Sequence, residues 1–321
     1  MEIFNSLNEW NSCEETVIVL GNFDGVHLGH KRLIESCVDR AKALGLKSLC
    51  FTFSNHPKNM FAEVNGGKDD ELLVRFISSS DEKLKYIEKL GIDFAISIPF
   101  NEKIMKVPAK DFATHILAER LNAKAIFCGF NYRFGYKAGG DVDLLMETGR
   151  QYGIEIDIQP AVKINGEIVS SSLVRERIES GKMEEASMLL GRPYTITGKV
   201  TRGNGIGKKI GSPTANINIE AERIVPPNGV YYSGIEIGGS RYRGISNLGV
   251  KPTIGNYAKS IETNIFGFEG ELYNCEISVG LYKWKRPEIK FSNTSELAEQ
   301  IKSDAASAAE WWRLKEDNSG F

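Results

Sequence analysis

The sequence predicts an α/β protein in two parts: an N-terminal doubly wound parallel sheet of Rossmann-like type, then a small antiparallel β-barrel closed by a terminal helix. Three observations carry this reading. Short apolar, β-branched runs alternate with helix-period segments up to about residue 190. At Gly191-Arg192-Pro193 the pattern changes to alternating segments punctuated by Gly and Pro every eight to twelve or so residues. The last stretch, Thr294 to Trp312, returns to helical spacing, with Leu297, Ile301, Ala305 and Ala308 on one face. The domains are therefore expected at 1–190 and 191–321.

Each element has a local reason. Thr16 to Leu20 is an apolar strand ending at a glycine-rich turn. Leu33, Ile34, Cys37, Val38, Ala41 and Leu44 repeat at helical spacing, and Gly45 can close that helix. Ser48 to Phe53 returns to a strand, so the three together form a βαβ unit with parallel pairing and a right-handed crossover. Asp81 is expected to cap a helix carrying Leu84, Ile87 and Leu90, before strand Phe94 to Ile98. Pro108 suits the start of a helix running to about Leu121. Ala125 to Cys128 is a buried strand, a helix follows Asp141, and Ile154 to Ile158 alternates as a strand. Two short helices follow, after Ser170 to Ser172 and around Met183 to Leu190. Barrel strands are expected at Val230 to Ile237, Arg241 to Ser246 and Ile277 to Tyr282.

Composition narrows the function classes. Over 321 residues, 41% are hydrophobic and 26% charged, with a net charge of -2, so general electrostatic attraction to nucleic acid or an anionic membrane is not expected. The five cysteines (Cys13, Cys37, Cys50, Cys128, Cys275) are scattered without a C-x-x-C pair. They read as reduced thiols, several of them buried small hydrophobes, rather than a disulfide framework or zinc site. MEIFNSLNEW lacks the basic-then-apolar pattern of a signal peptide, and no apolar run approaches the ~20 residues of a membrane span. A cytoplasmic protein is expected.

The first candidate site is the loop Gly21-Asn22-Phe23-Asp24-Gly25-Val26-His27-Leu28-Gly29-His30. It joins a strand to a helix, where parallel sheets bind ligands. Its glycines let backbone N–H groups approach an anion, and the helix N-terminus adds a favourable dipole. His27 and His30 are three apart, so one helical turn sets both imidazoles on one face. There they can donate hydrogen bonds as charge builds on a leaving pyrophosphate. A surface pair or half a metal site is the alternative for two such histidines.

As H-x-G-H after a strand, this loop resembles the signature of the HIGH-type nucleotidylyltransferases, and the whole first part resembles the bacterial FAD synthetase module. Supporting stretches are FTFSNHP (Phe51 to Pro57), CGFNYRFG (Cys128 to Gly135) and SSSLVRERIESG (Ser170 to Gly181). The resemblance implies transfer of AMP from ATP to FMN. It assigns Gly21, Asn22, Phe23, Asp24, Gly25, Gly29, Ser170, Ser171, Ser172 and Arg175 to ATP. It sets Asn131 and Phe134 near flavin and adenine, with Phe53 as an apolar wall; Phe51 reads as core. This chain departs from the family at Ser54 and Asn55, where an acidic residue and proline are usual, and at Leu173, usually arginine.

The second candidate site is the stretch Gly203 to Asn216, which packs glycines and lysines before a strand without the order of a P-loop. Its P-T-A-N resembles the riboflavin kinase family, as do PPNGVYYSG (Pro226 to Gly234), SNLGVKPTIG (Ser246 to Gly255), IETNIFGFEGELY (Ile261 to Tyr273) and RPEIKF (Arg286 to Phe291). The resemblance implies ATP at Gly205, Gly207, Lys209, Gly211, Pro213, Thr214 and Asn216, with Mg²⁺ held by Thr214 and Asn216. It makes Glu262 the general base on the riboflavin 5′-hydroxyl. Thr214 and Asn216 alternate on a strand and so face one side. Ser212, Asn264 and Asn274 stand where the family usually has phenylalanine, histidine and glycine. Together the two resemblances imply a bifunctional flavin-cofactor enzyme. A FAD synthetase with a weakened kinase, and a flavin-binding regulator, are the rival readings.

Overall fold

Six parallel strands form the N-terminal sheet: β1 (Glu2–Phe4), β2 (Thr16–Leu20), β3 (Lys47–Phe53), β4 (Phe94–Ile98), β5 (Ala123–Gly129) and β6 (Glu155–Gln159). Their spatial order is β1-β4-β3-β2-β5-β6. The computed structural model describes residues 1–64, 73–202, 214–253 and 256–319. Every residue of β2 is buried, as a central parallel strand requires. Val17 and Val19 face one apolar layer, with Ile34, Cys37 and Val38 of helix α1 (Leu28–Leu44). Ile18 and Leu20 face the other, with Phe51, Phe112, Leu117 and Leu145. Gly45 closes α1 in the left-handed region, its N–H reaching the carbonyls of Ala41 and Lys42.

The strand order reverses at β2. From there the chain builds β3 and β4 on one side and β5 and β6 on the other. Crossovers leaving in opposite directions open a crevice at the carboxyl ends of β2 and β5. The loops at those two ends are Gly21 to His27 and the stretch beginning at Phe130.

Helices α2 (Pro57–Val64) and α3 (Ser80–Lys89) follow β3. The cap of α3 is Ser79, not Asp81: Ser79 and Glu82 form a reciprocal capping box, and Asp81 sits in the first turn, where its charge suits the helix dipole. After α4 (Glu102–Met105), Pro108 caps α5 (Ala109–Asp111), but the chain then continues as a π-helix, Phe112–Arg120. The wider turn is visible where the Leu121 N–H reaches the Ile116 carbonyl at 2.9 Å. Its end is tied down by the Trp10 indole on the Arg120 carbonyl and the Thr16 hydroxyl on the Leu121 carbonyl. Helix α6 (Val142–Tyr152) is capped by Asp141 as expected, and a small hairpin, β7 (Lys163–Ile164) with β8 (Glu167–Ile168), follows β6. None of the cysteines is in a disulfide, and Cys37, Cys50 and Cys128 are buried.

Internal packing divides the chain into two compact units, Met1–Ser171 and Ser172–Phe321. The second begins within helix α7 (Ser171–Glu179), which α8 (Met183–Leu190) follows. Its strands are β9 (Tyr194–Thr201), β10 (Thr214–Asn218), β11 (Gly229–Ile237), β12 (Ser240–Thr253), β13 (Asn256–Ile265) and β14 (Glu276–Arg286). They close an antiparallel barrel in the order β10-β13-β12-β11-β14-β9. Alternation sends Ile217, Leu248, Ile261 and Leu281 to the buried side. The buried hydroxyls of Ser233, Ser246 and Thr263 satisfy one another, at 2.8 Å for each contact made by Ser246.

The terminal helix, α9 (Thr294–Ser319), buries Ala308 against Val230, Tyr232 and Ile245. Asp304 anchors it: the buried carboxylate takes Nε of Arg286 at 3.0 Å and Nη2 at 2.5 Å, and the Gln300 amide at 3.0 Å. Among the described residues no helix is long and apolar enough to cross a membrane. Replacing Asp304 by Ala leaves the Arg286 guanidinium without its partner at a part-buried site. The C-terminal unit should lose roughly 3–5 kcal/mol of stability, read as a lower denaturant midpoint.

Candidate active sites

A cavity of about 470 Å³ opens at the reversal point of the sheet. Gly21, Asn22, Phe23, His27, Gly29 and His30 line it from the β2 side, and Asn131 and Phe134 from the β5 side. Ser170 and Ser171 complete the rim, and Phe53 is part of the wall. Asp24 and Gly25 do not line it. The buried Asp24 carboxylate instead accepts from the Ile77 N–H at 2.9 Å and the Ser78 N–H at 3.3 Å, and the Asp24 carbonyl takes the Ser171 hydroxyl at 3.0 Å. The Gly25 N–H donates to the Ser78 hydroxyl. These two residues hold the loop rather than face the cavity. Ser172 and Arg175 lie on α7 in the second compact unit.

The loop carries backbone strain. Phe23 (φ 54) and Val26 (φ 39) are left-handed without being glycine, alongside Gly25 (φ 77). Burial of both apolar side chains offsets that cost. Gly21 has a different reason: a Cβ there would stand 2.7 Å from the Phe23 ring. At Gly29 a Cβ would press on the His27 ring at 3.2 Å.

The two imidazoles stack, with ring centroids 3.6 Å apart and an interplanar angle of 13°. His27 caps α1, its Nδ1 accepting from the His30 N–H at 3.3 Å. That bond reserves the His27 Nδ1 lone pair, so neutral His27 carries its proton on Nε2 as a donor. His30 Nδ1 is buried and meets no hydrogen-bond partner among the described residues. Burial, then the neighbouring His27 and Lys83, hold the His30 pKa well below the ordinary 6.5, so the ring is neutral at pH 7.

Several lining residues carry no sequence signal beyond their apolarity. Phe100 packs edge-on to Phe53 at 4.9 Å and meets Phe61 at 5.6 Å. Asn55 fixes it, its side-chain amide bonding both the N–H (2.7 Å) and the carbonyl (3.0 Å) of Phe100. Tyr132 stacks on Phe134 at 5.7 Å, and burial pushes its phenol pKa up. Lys83 is another residue that spacing missed. It reads as a solvated helix cation, yet it is buried beneath the loop.

The barrel carries a second cavity of about 260 Å³. Strand register assembles its floor: Thr214 lies opposite Asn264, and Glu262 lies between Asn216 and Asn247. Directly opposed residues point to one side of a sheet, so these share a face. Thr214, Glu262, Asn264 and Asn247 line the cavity, whereas Asn216 is buried and does not. Glu288 lines it too, held by the amides of Asn228 at 3.3 Å and Asn247 at 3.4 Å. The motifs PPNG, SNLG, IETN and RPEI therefore converge here. Gly205, Gly207, Lys209, Gly211 and Pro213 lie outside the described residues.

A FAD synthetase family model matches residues 10–173, and a riboflavin kinase model matches residues 190–312. A bifunctional riboflavin kinase/FMN adenylyltransferase from Buchnera aphidicola subsp. Schizaphis graminum is 35% identical over 97% of both chains. The chain belongs to this bifunctional family. A Bacillus subtilis relative of the same description is 34% identical over 93% of both chains. A solved structure from Streptococcus pneumoniae, described as a macrolide-efflux protein, shares the fold at TM-score 0.81 and 29% identity, covering 94% of this chain and 96% of its own.

The histidines separate cleanly by environment. Exposed His115 is held above its ordinary 6.5 by the Glu119 carboxylate at 2.9 Å, the opposite direction from His30. In an NMR titration, His115 should protonate above pH 6.5 as pH falls, while His30 remains neutral well below it.

Proposed function

We propose that the C-terminal barrel transfers the γ-phosphate of ATP to the riboflavin 5′-hydroxyl, giving FMN and ADP. The N-terminal unit then transfers AMP from a second ATP to FMN, giving FAD and pyrophosphate. The observation that carries this reading is the distribution of carboxylates. Among the described residues the first cavity is lined by no Asp or Glu, while Arg133 joins the two histidines there. An acceptor phosphate is already anionic and needs no base, only positioning and charge stabilisation. The second cavity presents Glu262 and Glu288, and an alcohol nucleophile needs a carboxylate to take its proton.

Roles follow from that contrast. His27 and His30 would donate to the triphosphate as charge builds on the leaving pyrophosphate, with the amides of Gly21 to Phe23 and the rim at Ser170 and Ser171 cradling ATP. Asp24 and Gly25 would act through the loop they hold. Phe53, Asn131 and Phe134 would hold the flavin and adenine rings. In the barrel, Glu262 would accept the hydroxyl proton, and the stretch Gly205 to Pro213 would carry ATP.

The hard oxygens of Thr214 and Asn216, beside the Glu262 carboxylate, fit Mg²⁺. Those two residues would hold it, and the ion would supply charge neutralisation to the phosphates. The functional boundary is proposed at 190/191, and the enzyme as cytoplasmic.

Flavin-free protein incubated with riboflavin, ATP and Mg²⁺ should yield FMN and then FAD, resolved by chromatography. FAD formed only from supplied FMN would remove the kinase claim, and no product would favour a flavin-binding regulator. Glu262→Gln should lower FMN formation by about 10²–10⁴-fold while sparing FAD formation from FMN. His30→Ala should lower FAD formation by about 10²–10³-fold and spare the kinase. Equal losses in both reactions would contradict this division of labour.

A further inference from the structure

Lys83 is a lysine on α3 with only 5% of its surface exposed. Its ammonium donates to the Asn22 carbonyl at 3.3 Å, to the Thr52 hydroxyl at 3.3 Å and to the Phe53 carbonyl. Asn22 follows β2, and Phe53 ends β3. Both line the first cavity. Thr52 closes the arrangement by donating its hydroxyl to the same Asn22 carbonyl at 3.1 Å. One cation thus ties together the ends of two adjacent strands at the point where the nucleotide loop begins. All three acceptors are neutral oxygens, which repay little of the cost of burying an ammonium. An apolar side chain would remove that cost but would take the donor from the Phe53 carbonyl, so the net gain in stability from the lysine is small.

Resting on the adenylyl-transfer reading above, we propose that Lys83 is a positioning residue for that reaction. Its charge fixes the Asn22 and Phe53 carbonyls so that the loop amides and the stacked histidines meet the triphosphate in reactive geometry. It also places a positive charge behind the loop that an anionic transition state uses. The groups facing it are Asp24 from the loop, Cys50 from β3 and His30 from α1. Asp24 favours the charged lysine, whereas burial opposes it and brings the Lys83 pKa down to about 8 from the ordinary 10.5. The charge is therefore lost as pH rises through about 8. Between about 8 and 10.5 the folded state binds fewer protons at this site than the unfolded chain, so this group's contribution to stability rises with pH. Activity and this group's contribution to stability then move in opposite directions as pH rises.

The test uses the full-length protein, with FAD formation from FMN and ATP and FMN formation from riboflavin measured on the same preparation. In Lys83→Met, kcat/KM for FAD formation should fall about 10²-fold, the scale of a slightly misplaced reactive geometry. FMN formation should stay within about two-fold and the melting temperature should change little, since removing a buried ion offsets the loss of the donor to the Phe53 carbonyl. Loss of the kinase or a lowered melting temperature together with the synthetase would mean Lys83 is merely structural. FAD formation within about two-fold of wild type would overturn the proposal outright. If the variant does not fold, the wild type decides. Its ratio of FAD-forming to FMN-forming rate should fall as pH rises through about 8, and a ratio flat from about pH 7 to 9.5 would overturn the proposal. Wild type that makes no FAD at all would instead refute the adenylyl-transfer reading itself.

Discussion

The N-terminal unit depends on one constraint: β2 must be buried on both faces. A strand with Val17 and Val19 in one apolar layer and Ile18 and Leu20 in the other has no solvent side. It therefore needs a parallel neighbour on each edge and a helical layer on each face. Right-handed crossovers meet that need only if the chain first builds outward through β3 and β4, then returns to place β5 on the opposite edge. The reversal leaves a crevice at the carboxyl ends of β2 and β5, and both loops that line the cavity begin there. The location of the site is thus a consequence of how the core is covered.

The same location explains the unusual local chemistry. A loop leaving a fully buried strand cannot spread into water, so it turns back sharply through left-handed Phe23, Gly25 and Val26. Its polar groups then require partners inside the protein. Asp24 finds the Ile77 and Ser78 amides, Gly25 the Ser78 hydroxyl, and Asn22 the Thr52 hydroxyl and Lys83 ammonium. His30 keeps a buried Nδ1 with no hydrogen-bond partner among the described residues, at a cost in stability. Strain and buried polarity are therefore concentrated beside the first cavity.

How much of this was legible in the sequence follows from which signals are local. The β2–α1–β3 unit could be read because its apolar periods and the closing Gly45 are short-range features. The cap of α3 is ambiguous in sequence because Ser79 and Asp81 both have capping chemistry, and only the position of Glu82 three residues after Ser79 distinguishes them. The π-helix at Phe112–Arg120 was hidden, since its apolar pattern fits an α-helix and its turn is tied down by distant Trp10 and Thr16. His27 and His30 were visible from spacing. Lys83 was not, because a lysine between Glu82 and Leu84 on a helix looks solvated, and its burial depends on where β2 and β3 end. In the barrel, Thr214 and Asn216 could be paired by strand parity, but the neighbours of Glu262 came only with register.

The two cavities also show why one chain carries two folds for two transfers from the same nucleotide. Attack by a phosphate oxygen calls for a site that gathers anions, and carboxylates on its walls would repel both reactants. In the proposed reading, a loop of amides with neutral His30 at a helix N-terminus meets that requirement. Attack by a neutral hydroxyl calls for the reverse, a carboxylate close to the reacting oxygen. Alternating residues on the outer face of a barrel set Thr214, Asn216, Glu262 and Asn264 side by side through strand register alone. The two environments differ in what supplies them: backbone amides at the end of a parallel strand in one case, side chains paired across antiparallel strands in the other.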